Sequence, residues 1–332
     1  MNRIAFLTSV CLLAASVSIG CASKYIESLE KIVAESHGTV YGTENESTRI
    51  CKGKIQQTCA VNSSSQFTEN GYHYLLYTSS PKNPTGILLH ATGGEATDNE
   101  KFAIEFCKYG FNLASLDLPG HGETKERAFT AEEVFRGIDE TRKQLDVNFL
   151  IGTSMGGDFA IYYALEHPEI KSIFAHAPML NSIKPMDFRF ALARNDLGRL
   201  IIGIWNLGSK EIKLSRLYNN RDLVANPELV SIFEDKNNPK EYNFDDYFQG
   251  VLAYNQEISQ NYRTPTLIAQ AMHDPLIKTE HVLEIYEALK SKNPNIELWS
   301  TGNLTRSHLI LTEYPQETAE IAAQWFNKTL NK

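Results

Sequence analysis

Apolar and polar positions in this chain change their period several times, and the changes mark out its parts. Residues 23–38 carry Tyr25, Ile26, Leu29, Ile32 and Val33 at helical spacing, which predicts a short amphipathic helix. Residues 41–70 are polar and irregular. From Tyr72 a repeated order of strand, loop, strand and helix sets in. Strands are predicted at 72–77, 86–90, 111–118, 148–152 and 171–177, and helices at 99–110, 130–145 and 154–166. The second helix turns Val134, Ile138, Thr141 and Leu145 one way, and the first stops at Gly110. Strands alternating with helices of this length imply an α/β fold, a doubly wound and mostly parallel sheet covered on both faces.

The alternation breaks at residue 180. Residues 180–262 are rich in Asn, Asp and Lys with aromatics such as Phe188, Trp205 and Tyr247 between them, and they read as helical and loop-rich with no convincing strand. A strand returns at 264–271, then a helix at 279–290, a strand at 296–300 and a last helix at 315–329. The simplest organisation is a core made of residues 71–179 and 263–332, interrupted by a helical cap at 180–262. The aromatics of the cap either line a pocket or form the cap's own small core.

Composition narrows the classes. The chain has 332 residues, 42% of them hydrophobic, enough for one large core with an inserted lobe. Its formal net charge of −8, with Lys and Arg scattered, argues against a nucleic-acid partner. No internal repeat is visible, which argues against a solenoid or propeller. Nothing speaks to oligomeric state, and a monomer is the default.

The first residues follow another logic. Arg3 precedes an apolar run from Ile4 to Ile19 and then Gly20-Cys21, a run that reads as a secretory signal over 1–20. Ser18-Ile19-Gly20-Cys21 resembles a bacterial lipobox. That resemblance implies that Cys21 becomes the lipid-modified first residue of the mature chain, tethered to a membrane surface of the cell envelope, with 21–70 as tether and N-terminal extension. Export implies an oxidising compartment, where Cys51 and Cys59, bracketing a short polar loop, are expected to form a disulfide. Metal binding is the weaker reading of that pair, since no His or second cysteine pair sits nearby. Cys107, within a helical stretch, reads as a buried apolar residue.

Gly152-Thr153-Ser154-Met155-Gly156 fits G-x-S-x-G with a strand before it and a helix after it. To pass from strand to helix within one residue, Ser154 needs a strained backbone, and flanking glycines remove the side chains that would collide. The hydroxyl then stands at a helix N-terminus, where developing negative charge is favoured. A glycine-rich nucleotide-binding turn is the competing reading, but no G-x-G-x-x-G run or acid about 20 residues on accompanies it.

A serine hydroxyl needs a base, and on this arrangement the chain order is Ser, acid, His. Of nine histidines, His308 lies in a loop after the last strand, where a base reaches the sheet's carboxyl edge. His281 follows too soon after any candidate acid, His176 precedes every plausible acid, and His167 sits at a helix end. Asp274 lies just past the strand at 264–271, where it would fix the imidazole tautomer and stabilise the imidazolium. The loop after the preceding strand contains no carboxylate, and Asp187 and Asp196 lie in the insert. An oxyanion needs two preorganised N–H donors. These are expected from Met155 and, in the loop after residues 86–90, from Thr92 or its neighbour Gly93. No residues suggest a metal or a redox cofactor.

Together, HATGG (90–94), DLPGHGET (117–124), GTSMGG (152–157), Asp274 and His308 resemble the α/β-hydrolase superfamily. They are most similar to its lysophospholipase, monoacylglycerol-lipase and carboxylesterase group, which carries a lid after the sixth strand. The resemblance covers about residues 72–330, with Ala91 where the family usually has glycine. It implies a serine hydrolase working through an acyl-enzyme, with His90 and His121 as loop organisers. A lipid-derived ester, of lysophospholipid or monoacylglycerol type, suits a lid beside a membrane tether. An acyl thioester or a small-peptide or aminoacyl bond would use the same residues. A tethered binding protein on a hydrolase scaffold is the rival from another class.

Overall fold

The computed structural model describes residues 61–180, 211–213, 224, 226, 241–243, 262–301 and 307–330. The signal segment, Cys21, the helix expected at 23–38, the Cys51–Cys59 pair and most of the 180–262 insert lie outside them.

Ten strands are described: β1 (Asn62–Phe67), β2 (His73–Thr78), β3 (Thr85–Leu89), β4 (Asn112–Leu116), β5 (Val147–Thr153), β6 (Ser172–His176), β7 (Glu211–Lys213), β8 (Glu241–Asn243), β9 (Thr266–Gln270) and β10 (Ile296–Ser300). The helices are α1 (Glu100–Cys107), α2 (Ala131–Gln144), α3 (Met155–Glu166), α4 (Thr279–Lys292), α5 (Ile310–Glu313) and α6 (Pro315–Leu330). Eight strands form one sheet in the order β1-β2-β4-β3-β5-β6-β9-β10. β2 runs antiparallel to β1 and β4, and the remaining pairs are parallel. This is the α/β-hydrolase arrangement.

Alternation along the central strands assigns side chains to two cores. Ile87, Leu89, Leu150 and Ile173 pack with α2, α3 and α4 on one face, while Leu88, Phe149, Ile151 and Phe174 pack with α1, α5 and α6 on the other. Trp325 of α6 anchors the second face by donating from its indole N–H to Ile173 O at 2.9 Å. Cys107 is buried there, as expected, with burial raising its thiol pKa to about 12.

Two sequence expectations fail. Residues 62–67, read as irregular, form β1. Asn-Ser-Ser-Ser-Gln-Phe has no apolar period because all six residues are exposed, and the strand is defined by backbone pairing with β2 at the sheet's edge. The insert was expected to hold no strand, yet β7 and β8 pair antiparallel, Glu211 opposite Asn243. Segments of three residues are too short for alternation to register.

Candidate active site

The strand-to-helix turn has the strained geometry its glycines foretell. Ser154, between the end of β5 and the start of α3, has φ 54° and ψ −120°, a conformation costing a non-glycine residue about 1–3 kcal/mol. The turn brings backbone against backbone. A Cβ on Gly152 would overlap the Gly156 carbonyl, and one on Gly156 would overlap the Leu89 carbonyl. The Ser154 N–H donates to His176 O at 2.7 Å, tying the turn to the end of β6. Met155 is the first residue of α3, so its N–H is among those a helix cannot pair internally.

His308 and Asp274 come together as the sequence order requires. The His308 imidazole bonds through Nδ1 to Asp274 Oδ2 at 2.8 Å, and both side chains are buried. The other carboxylate oxygen, Oδ1, accepts the N–H groups of Leu276 and Ile277, each at 2.8 Å. Burial opposes charge on Asp274, but His308 and the amide donors outweigh it and hold the carboxyl below its usual range. Ser154 Oγ and His308 Nε2 have no hydrogen-bond partners among the described residues. Both residues lie close to His176, whose ring centroid is 6.1 Å from that of His308.

The loop after β3 is braced from several sides. His90 donates from Nδ1 to Ala91 O at 2.8 Å and accepts the Leu118 N–H on Nε2 at 3.1 Å, which fixes its tautomer. The ring packs 4.7 Å from His121, which donates from Nδ1 to Pro119 O. Burial lowers the pKa of both rings, that of His121 to about 3, so both are neutral loop organisers. Asp117 accepts the N–H groups of Ala96 at 2.6 Å and Glu123 at 2.9 Å, and bonds His73 Nδ1 at 2.6 Å. Thr92 lies against the α3 terminus, its hydroxyl 3.4 Å from Met155 Sδ.

Sequence reading missed two groups. Asp158, one turn beyond Ser154, is buried, and its Oδ1 accepts the N–H groups of Met179 at 2.6 Å and Leu180 at 3.0 Å. His281 of α4 bonds through Nε2 to Met179 O at 2.7 Å. Together they grip the chain where it leaves β6 for residues 180–262, beside Ala177 and Leu180 with φ of 46° and 33°. The available signal was a lone acid in the otherwise apolar helix GGDFAIYYAL. Burial raises the Asp158 pKa to about 7 against the pull of its two amide donors.

The Hydrolase_4 family profile, described as serine aminopeptidase, S33, matches residues 82–313. Monoacylglycerol lipase abhd6-A of Xenopus laevis is 28% identical over 123 residues, 34% of this chain and 36% of that one. The dihydrolipoyllysine-residue acetyltransferase component of the acetoin cleaving system of Cupriavidus necator is 33% identical over 91 residues, 26% of this chain and 24% of that one. The chain thus spans only about a quarter to a third of the length of the curated relatives it matches. The solved structure of Paleococcus ferrophilus monoacylglycerol lipase superposes with a TM-score of 0.56 at 21% identity, covering 80% of this chain and 99% of the other. That likeness is one of fold.

Proposed function

Because the chain belongs to the Hydrolase_4 family of α/β serine hydrolases, we propose that it cleaves a carboxylic ester of a lipid-derived acyl group, of lysophospholipid or monoacylglycerol type. Ser154 Oγ attacks the ester carbonyl while His308 Nε2 takes its proton. The alkoxide leaving group departs with that proton, and water then releases the acid from the acyl-enzyme by the same steps reversed in role. Asp274 keeps the proton of His308 on Nδ1 and stabilises the imidazolium. The N–H groups of Met155 and of Thr92 or Gly93 receive the oxyanion, and one such donor is worth about 3–4 kcal/mol.

The observation that carries this reading is the buried His308–Asp274 bond at the sheet edge that bears the strained Ser154. Nucleophile–base contacts are often long without substrate and tighten when it binds. The reading is tested with a fluorophosphonate probe and a panel of p-nitrophenyl esters, lysophospholipids, monoacylglycerols, acyl thioesters and aminoacyl amides. Ser154→Ala abolishes labelling and lowers kcat by at least about 10⁴-fold. An unlabelled Ser154, or turnover of short water-soluble esters alone, overturns it. The family's aminopeptidase description favours one second reading, a small-peptide or aminoacyl hydrolase, and faster cleavage of the amides would select it.

The cellular setting belongs to the same proposal. Lipidation of Cys21 puts the enzyme on an envelope membrane, where a lipid ester is at hand. Palmitate labelling that disappears in Cys21→Ala supports this, and a soluble, unlabelled mature protein refutes it.

A further inference from the structure

Among the described residues, the buried side-chain polar atoms without a partner gather at one place. Apart from Gln324 Oε1, they belong to Thr153, His176, Gln270, Ser300 and Thr301, at the carboxyl ends of β5, β6, β9 and β10. His176 is the extreme case, because it is fully buried and neither Nδ1 nor Nε2 has a partner. Burial, followed by the nearby His308, pushes its pKa down to about 3, so the ring is neutral at working pH. A neutral imidazole offers one donor and one acceptor. Sealing both away unpaired is costly, and an apolar ring at this position would avoid that cost.

The register shows what surrounds it. Thr153 and His176 are Cα partners and share the face of Ile151 and Phe174, and on the far side His176 pairs with Ala269, a small side chain in the same row. Thr153 Oγ1 is also buried and unpartnered. One residue therefore touches both halves of the proposed machinery. Its carbonyl accepts the Ser154 N–H at 2.7 Å, and its ring lies 6.1 Å from that of His308.

We propose that His176 is a positioning residue for His308, acting through ordered water held between its ring nitrogens and Thr153 Oγ1. The inference rests on His308 being the base. Water has two donor and two acceptor sites, so it satisfies imidazole and hydroxyl together. Asp274 fixes His308 only at Nδ1. The hydrated His176 ring supports the imidazole from the sheet side and presents dipoles to the imidazolium formed when Ser154 gives up its proton. Among the described residues, the titratable groups bonded to or packed beside the His308 ring are Asp274 and His176.

The test compares His176→Phe, which keeps a ring but no polar atoms, with His176→Asn, which keeps a donor and an acceptor. Thr153→Val removes the second water partner. kcat and KM are measured on the best p-nitrophenyl ester, with fluorophosphonate labelling rates and thermal midpoints. His176→Phe is expected to lower kcat about tenfold at nearly constant KM, with labelling slowed in parallel. Thr153→Val shows a smaller loss of the same kind, and His176→Asn recovers most of the rate. A wild-type kcat in His176→Phe overturns the proposal. So does an equal loss in the Phe and Asn variants with equally lowered midpoints, which would mean packing alone. A high-resolution structure with no water beside the ring also overturns it. Should His176→Phe not fold, Thr153→Val decides: a severalfold lower kcat supports the proposal, and an unchanged one overturns it. If Ser154→Ala retains activity, the catalytic reading falls and this inference with it. If Ser154→Ala is inactive and His176→Phe is normal, only this inference falls.

Discussion

Two buried aspartates brace loops at the carboxyl edge of the sheet, and their pKa values move in opposite directions from the ordinary carboxyl value. Asp117, at the end of β4, receives two backbone N–H groups and the His73 ring. Burial works against its charge, yet these partners and His90 together hold its pKa below the ordinary value. Asp158, in α3, receives two backbone N–H groups on a single oxygen, and burial raises its pKa to about 7. Both grip main chain by the same kind of bond. The difference lies in the number of donors and in the histidines around Asp117. Depth of burial alone does not decide whether an interior carboxyl carries charge.

The comparison breaks most visibly at Asp117. Asp117→Ala strands the N–H groups of Ala96 and Glu123 together with His73, and a loss of about 3–5 kcal/mol is expected in urea unfolding. Near-native stability in that variant would mean that the three donors find partners elsewhere.

Asp158→Asn sharpens the contrast through pH. Folded Asp158 keeps its proton up to about pH 7, whereas an unfolded aspartate keeps it only to about 3.9. Its contribution to stability is therefore full below about pH 4, declines as pH rises toward 7, and is level above that. Asparagine retains the accepting oxygen and does not titrate. The variant should gain on the wild type between about pH 4 and pH 8, by at most about 4 kcal/mol, as read from unfolding curves across that range. Asp117, with its depressed pKa, works in the other direction. Its contribution is present above about pH 3.9 and is lost as pH falls through its lower folded value. A pH-independent gap between wild type and Asp158→Asn would remove the contrast.

Smaller effects come from the neighbours of each carboxyl. Gly122 has φ +47°, and a Cβ there would overlap the Asp117 carboxylate, so Gly122→Ala should cost about 1–3 kcal/mol by thermal melting. His281→Leu removes the bond to Met179 O and should cost about 1 kcal/mol. Because Met179 leads into the 180–262 segment, the variant's KM for the best p-nitrophenyl ester should change more than the labelling rate of Ser154 by a small probe.

How much of this was legible depends on how local each cause is. The Ser154 turn could be read because strand, glycines and helix are contiguous, and the collisions that demand glycine at 152 and 156 arise within that stretch and the adjacent β3. Asp274 and His308 could be read because chain order along a doubly wound sheet confines both to loops at one edge. β1 could not, since its six exposed residues carry no apolar period and depend on β2 for pairing. Nor could Asp158. An acid in a helix reads as a solvent-facing residue, and its partners Met179 and Leu180 are adjacent only after β6 has crossed behind α3. His281 was correctly placed on a helix, but its partner carbonyl lies 102 residues away in the chain.

β6 and β9 lie side by side, although the chain from His176 to Thr266 contains the whole insert. Their ladder continues past the strand ends, with Ala177 N–H on Ala269 O at 2.8 Å and Ile173 N–H on Pro265 O at 2.9 Å. The excursion thus leaves the sheet and returns to the same seam. Closing such a detour becomes harder only with the logarithm of its length, about 0.6 kcal/mol per doubling. Connections of very different length fit at this seam while the edge carrying Ser154, Asp274 and His308 stays as it is, so the size of what lies between β6 and β9 is decoupled from the pairing of the sheet.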